Sequence, residues 1–235
     1  MELALDTSTA TAGVALAHRG ETLAEVTWLV GRNHTTQLLP TIEDVLGRAG
    51  VTVDDLEAVI VATGPGSFSG LRVGLSTAKG LAVSRDIPLV GVGTLAVEAY
   101  PFLSADLPLR ALLDAGRGEI AVGSYTASQG QLREAEPPRL TSVDELSASI
   151  VQRTLLCGEH LPVVQEAIAE RLGSLAVFPS RSALLRRPGH LAELGWQRLA
   201  LGDSDDPATL QPLYLRAPSI TRPRPPRTTA AKRSP

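Results

Sequence analysis

At 235 residues, 43% hydrophobic but only 3% aromatic, the chain can bury one large core or two small ones built from Leu, Val and Ala, which excludes a disordered protein. One cysteine, Cys157, excludes a disulfide framework and fits a reducing cytoplasm, and no run of eighteen apolar residues is present to cross a membrane as a helix. The net charge of −3 is uneven: Arg222, Arg224, Arg227, Lys232 and Arg233 sit in a Pro-rich stretch without acids, leaving a body at −8 that is a poor nucleic-acid surface.

In chain order, Leu3 to Asp6 reads as a short strand, with no basic segment that would make the start a secretory leader. Gly13 to Ala17 and Leu23 to Leu29 follow as two more strands around a turn at Gly20-Glu21, giving an antiparallel meander. Leu38, Leu39, Ile42, Val45 and Leu46 then set a helical period over 35–48. Pro40 argues for a start nearer Gln37 or Leu39, and Gly50 closes the helix. A strand (56–62), a helix (68–84), a strand (89–92) and a short helix (94–100) complete the first half. Three strands followed by alternating helix and strand is the order of a ribonuclease-H-like half, the building block of the actin, Hsp70 and sugar-kinase superfamily.

Beyond Pro108 the pattern restarts in weaker form. Strands are expected at 109–114 and 120–125, a loop or edge strand at 133–140 and another strand at 155–158. Helices are expected at 143–153, 163–172 and 191–201. The expected organisation is α/β with two ribonuclease-H-like halves. These are an N-terminal domain over 1–105, a smaller, degenerate domain over 106–216 whose last helix is free to pack back on the first, and a disordered Pro/Arg-rich tail over 217–235.

Residues 63–82 are the most informative stretch. A buried strand runs through Gly64-Pro65-Gly66 into a helix where Gly70, Gly74, Ala78 and Ala82 recur every four residues on one face. Each helical glycine costs about 0.8–1 kcal/mol relative to alanine, so another backbone is expected to come close. Neither phosphate-loop template fits: Lys79 lies between Ala78 and Gly80, and Ser69 stands where a dinucleotide fingerprint needs its third glycine. Asp6 and Asp114, each closing a strand, could still hold magnesium through water in a cleft with Thr7, Gly64 and Gly66 nearby. His18, His34, His160 and His190 lack metal-ligand spacing, and Cys157 reads as a core residue. The smooth helix face suggests docking of a second subunit through Gly70, Leu71, Gly74, Leu75 and Ala78, helped by His34, Gln37, Leu38 and Thr41 of the preceding helix. On that reading Gly74→Leu abolishes association and leaves the monomer folded.

Several segments resemble the TsaB (YeaZ) family, partners in making threonylcarbamoyladenosine on tRNA. They are Leu-Ala-Leu-Asp-Thr-Ser-Thr at 3–9, Asn-His-Thr-Thr-Gln-Leu-Leu-Pro at 33–40, the block at 63–82, Asp114 to Gly118, and Pro-Leu-Tyr-Leu-Arg at 212–216. The resemblance implies a non-catalytic scaffold that heterodimerises with the catalytic paralogue TsaD through the first two helices. That pair would recruit the ATPase TsaE and act on adenosine 37 of tRNAs reading ANN codons, with tRNA contacted through the complex and a competing homodimer formed by the same surface. In the catalytic relative two histidines hold a metal; here Thr94 and Glu98 stand in their places, a poor metal set. No catalytic or metal-binding residue and no required cofactor are expected, beyond weak nucleotide or magnesium binding in a remnant cleft. The alternatives are an independent actin-like ATP-binding enzyme using Asp6 and Asp114, and a glycoprotease-like metallopeptidase resting on fold analogy alone.

Overall fold

A computed structural model describes residues 1–31, 33–128 and 130–216; the expected tail lies outside the described residues. Strands β1 (Glu2–Asp6), β2 (Thr11–His18) and β3 (Glu21–Leu29) form the antiparallel meander. Its tight turn falls on Arg19 and Gly20, both at positive φ (54° and 80°), the backbone twist that suits a two-residue hairpin. β4 (Ala58–Gly64) joins β1 in parallel and β5 (Leu89–Gly93) joins β4, so the sheet runs β3-β2-β1-β4-β5.

Helix α1 (His34–Arg48) starts three residues before the earliest expected point, with Pro40 inside it. Pro40 lies on the exposed side, so water can satisfy the helix carbonyl that its missing N–H leaves free. Helix α2 (Phe68–Arg85) is capped by the Ser67 hydroxyl, which accepts from the Gly70 N–H, and ends at Asp86 in the left-handed conformation. Both helices pack on one face of the sheet: Leu38, Ile42, Val45 and Leu46 of α1 and Leu75, Ala78 and Ala82 of α2 share a core with Leu3, Leu5, Val59 and Val61.

The second sheet repeats this topology. β6 (Leu109–Asp114), β7 (Ile120–Ser128) and β8 (Gln131–Thr141) form a meander, and β9 (Thr154–Cys157) and β10 (Ala176–Val177) add in parallel, giving β10-β9-β6-β7-β8. The degeneracy expected of this half shows in length: β9 has four residues and β10 two. Pro137 and Pro138 are accommodated because β8 is an edge strand whose register with β7 slips at Ser124. Helix α4 (Val143–Ala148) stops five residues short of its expected end, since Ile150 turns into the core. α5 (Leu161–Leu172) covers the parallel strands.

Two helices tie the halves together. α3 (Thr94–Ala99) places Leu95 and Ala99 in the second core and Val97 in the first. α6 (Pro188–Leu199) follows the second sheet in sequence, yet Leu191 and Ala192 pack on Ala4, Ala15, Ile60 and Val90 and cover the open face of the first. A strap then leads back: the Asp205 N–H donates to Leu89 O (2.8 Å) and the Leu213 N–H to Thr63 O (2.7 Å). The Tyr214 ring lies 5.1 Å from that of Phe68, and Arg216 pairs with Glu119 across on the second half.

The stripe Gly70, Gly74, Ala78 and Ala82 is buried. A Cβ at Gly70 would run into the Thr7 carbonyl oxygen, and one at Gly74 into the Thr7 hydroxyl, which donates to Gly70 O at 2.7 Å. The backbone that approaches this helix is therefore the chain's own β1 exit. Gly80 is different, because nothing among the described residues lies within 4 Å of a Cβ placed there. Gly80→Ala is expected to raise stability by about 0.8–1 kcal/mol, read from urea denaturation of the isolated chain.

Candidate functional site

The loops that leave β1, β6 and β9 and the start of α2 meet around a cleft of about 490 Å³ lined by Thr9, Gly66, Ser67, Asp114, Glu159 and His160 among others. Of the residues expected to bind nucleotide, Gly66 and Asp114 reach this space. Asp114 closes its own turn by accepting from the Gly116 N–H at 2.9 Å. Asp6 and Thr7 are buried, and Gly64 is turned away: a Cβ on it would sit 2.8 Å from the Leu213 carbonyl of the strap.

Arg186, in the segment entering α6, is wholly buried at the junction of the halves and organises it. Its Nε donates to Asp6 Oδ2 (2.6 Å). Nη1 donates to Glu98 Oε1 (2.8 Å) and Glu159 Oε2 (2.9 Å), and Nη2 to Thr9 Oγ1 (2.8 Å) and the Thr11 carbonyl (3.0 Å). A guanidinium has five N–H donors, and all five are used. The carboxylates are engaged as well. Asp6 Oδ1 accepts from the Ser8 N–H (2.9 Å) and hydroxyl (2.6 Å), and Glu98 Oε1 also accepts from the Glu159 N–H (3.2 Å). Glu159 accepts from the hydroxyls of Thr9 (2.6 Å) and Thr11 (3.0 Å).

Burial pushes the Glu98 carboxyl up to about 7 despite the adjacent guanidinium. Burial alone would lower Arg186, but Asp6, Glu98 and Glu159 hold it above its ordinary value and fully charged. These residues do not fit a metal. A guanidinium already stands among the carboxylates and supplies the positive charge a metal would bring, and the neutral Thr94 hydroxyl is a poor metal ligand. Also among the described residues, no three His, Cys, Asp or Glu side chains are arranged to hold a metal ion.

Most of the expected interface residues are turned into the chain. Leu38, Gly70, Leu71, Gly74, Leu75 and Ala78 are buried inside this chain. His34 is buried too, with its Nε2 2.9 Å from Thr9 O. Gln37, half-buried, accepts from the Trp28 indole N–H (3.0 Å), and the Thr41 hydroxyl donates to Gln37 O (2.8 Å). Both faces of α2 are lined with small residues, so size alone does not say which one points inward; the face against Thr7 and Ser8 is the inner one. Among the residues that α1 and α2 turn to solvent are Leu39 (56% exposed), Glu43, Ser69, Arg72, Ser76, Gly80 and Val83 (68% exposed). Sequence reasoning missed Arg186 and Glu159 altogether. It marked Glu98 only as a departure from a histidine, and no local signal in Leu-Leu-Arg-Arg-Pro distinguishes a buried arginine from an exposed one.

A five-stranded sheet used twice in the same order, with the loops after β1 and β6 facing across a cleft, defines the class: an α/β protein of the actin, Hsp70 and sugar-kinase architecture. Component A of (R)-2-hydroxyglutaryl-CoA dehydratase from Acidaminococcus fermentans has this fold, with a TM-score of 0.53 over 85% of this chain and 98% of that one at 12% identity. The family profile for TsaD, tRNA N6-adenosine threonylcarbamoyltransferase, matches residues 27–219. The tRNA threonylcarbamoyladenosine biosynthesis protein TsaB of Bacillus subtilis is 30% identical over 217 residues, 91% of this chain and 93% of that protein. YeaZ from Pseudomonas aeruginosa superposes with a TM-score of 0.77 at 28% identity, covering 91% of this chain and 99% of YeaZ. The chain belongs to the TsaB (YeaZ) family. No helix among the described residues is long and apolar enough to cross a membrane.

Proposed function

We propose that this chain takes part in threonylcarbamoyladenosine formation on tRNA as a non-catalytic subunit, pairing with a TsaD-type catalytic paralogue. The observation that carries the reading is the saturated Arg186 cluster. At the junction of the halves, where a catalytic centre needs open ligands, every donor of a buried guanidinium is matched by the chain's own acceptors. The guanidinium at this centre has no free donor to offer a substrate, so its value is architectural. The working surface is then the outer face of α1 and α2, where Ser69, Ser76 and Gly80 let another helix come close and Leu39 and Val83 supply apolar area. The same face serves self-association, in competition with the paralogue, and the heterodimer in turn engages a TsaE-type ATPase and tRNA in the cytoplasm. The scaffold requires no cofactor of its own. A remnant nucleotide site is a second reading, favoured by Gly66, Ser67 and Asp114 lining the cleft. Calorimetric titration with ATP and magnesium tests it, and no heat of binding disposes of it.

The test of the main reading is a reconstituted modification assay with the paralogue, its ATPase, threonylcarbamoyl-adenylate synthase, threonine, bicarbonate and ATP. Product is expected only when this chain is added. Ser76→Arg, on the exposed face, is expected to weaken heterodimer formation in sedimentation at least tenfold, with an unchanged melting curve and a matching loss of product. Equal product without the chain, or wild-type association by Ser76→Arg, would defeat the proposal.

A further inference from the structure

The junction cluster does more than misfit a metal. We infer that Arg186 is a resident cation: its guanidinium pairs with Asp6, Glu98 and Glu159 at the junction, and it clamps the two halves at one fixed closure. The clamp spans the molecule. Asp6, Thr9 and Thr11 belong to the first sheet and its β1–β2 turn, Glu159 follows β9 of the second, and Glu98 sits on α3 between them. Glu159 contributes a second tie of its own through the hydroxyls of Thr9 and Thr11.

The acceptors are rigidly presented. Asp6 is fixed by its turn to Ser8. Gly158, at φ +104°, lies so close to β6 that a Cβ would collide with the Leu112 carbonyl, which sets the position of Glu159. Arg186 itself leads directly into α6, the helix that covers the first sheet. A hinge between the halves would have to break charge-assisted hydrogen bonds to a buried guanidinium, leaving uncompensated charge in a low-dielectric site. A planar fork bonded to both halves also fixes orientation, which a spherical metal ion does less well and lysine not at all.

The inference goes beyond the subunit reading and stands apart from it, because the clamp can be tested on the isolated full-length chain. Hydrogen exchange is measured at the amides of 9–11 and 159–161, on either side of the junction, with the amides of α1 as an internal control. Glu159→Gln, whose side chain is one-third exposed and so tolerant of change, is expected to speed exchange at both segments about tenfold while leaving α1 unchanged. Arg186→Lys is expected to do the same, because the ammonium keeps the charge but not the fork. Arg186→Ala is expected to lose thermal stability and to regain part of it with millimolar methylguanidinium, but not with equimolar tetramethylammonium. Manganese titration followed by electron paramagnetic resonance is expected to show no stoichiometric site in the wild type. Unchanged exchange in both Glu159→Gln and Arg186→Lys would overturn the clamp. A manganese site in the wild type that Asp6→Asn removes would overturn the resident cation. Should Arg186→Ala fail to fold, the exchange measurements on the two milder variants decide the matter alone.

Discussion

Gly70→Ala is expected to destabilise the chain by at least about 3 kcal/mol, the upper range for overpacking a rigid site. The added methyl would meet the Thr7 carbonyl oxygen, a backbone atom held in the β1 exit by the Thr7 hydroxyl bond to Gly70 O. Neither side of that contact has a rotamer through which to retreat. Gly74→Leu is expected to destabilise by another route, because its Cβ would start against the Thr7 hydroxyl and drive it off Gly70 O, with the rest of the leucine forced into a buried site. This variant therefore reports on folding and not on partner binding. Urea denaturation of Gly70→Ala and Gly80→Ala side by side makes the check: opposite signs are expected from the same substitution on two faces of one helix. A Gly70→Ala chain within about 1 kcal/mol of wild type would mean that the strand exit can move away.

The second large effect is a dependence on pH. The Glu98 carboxyl is raised to about 7 in the folded chain against 4.5 when free, so the folded state holds this proton more tightly than the unfolded one. The contribution is fully present below about 4.5, and stability is lost as pH rises through about 7. Relative to wild type, Glu98→Gln is expected to flatten that limb, by a difference on the order of 2–3 kcal/mol between pH 5 and pH 8. The faces around Glu98 carry Arg186, which favours the charged form, and Glu159, which opposes it. Denaturation midpoints at four pH values are sufficient. Parallel curves for the two chains would mean that Arg186 keeps Glu98 ionised throughout.

The fold was legible because its cues are local. Apolar runs of four to seven residues broken by turn residues set the strands, and the switch to helical period over 35–48 and 68–84 set the order from which the sheet topology follows. The second half was fainter because its two parallel strands are short and its helices α4 and α5 carry fewer turns than α1 and α2. The site was half legible. The segment ends that form the cleft could be named, since Gly66 and Asp114 stand at strand ends with turn chemistry. The orientation of α2 could not, since Gly70 and Gly80 are the same residue to any reading of periodicity, and only the path of Thr7 separates them. Arg186 lies 180 residues from Asp6 and 88 from Glu98. Long-range charge matching leaves no period, spacing or composition by which to find it.

The exchange of covering helices between the halves has a consequence at the level of the gene. A fragment ending near residue 105 would encode all five strands of the first sheet but not Leu191 and Ala192, which seal one side of it, nor Arg186, which neutralises Asp6. A fragment starting near 106 would carry α6 with nothing to cover and would lack Leu95 and Ala99 from its own core. Although the topology is that of one module written twice, each copy keeps part of its core on the other, and neither is expected to fold when expressed alone.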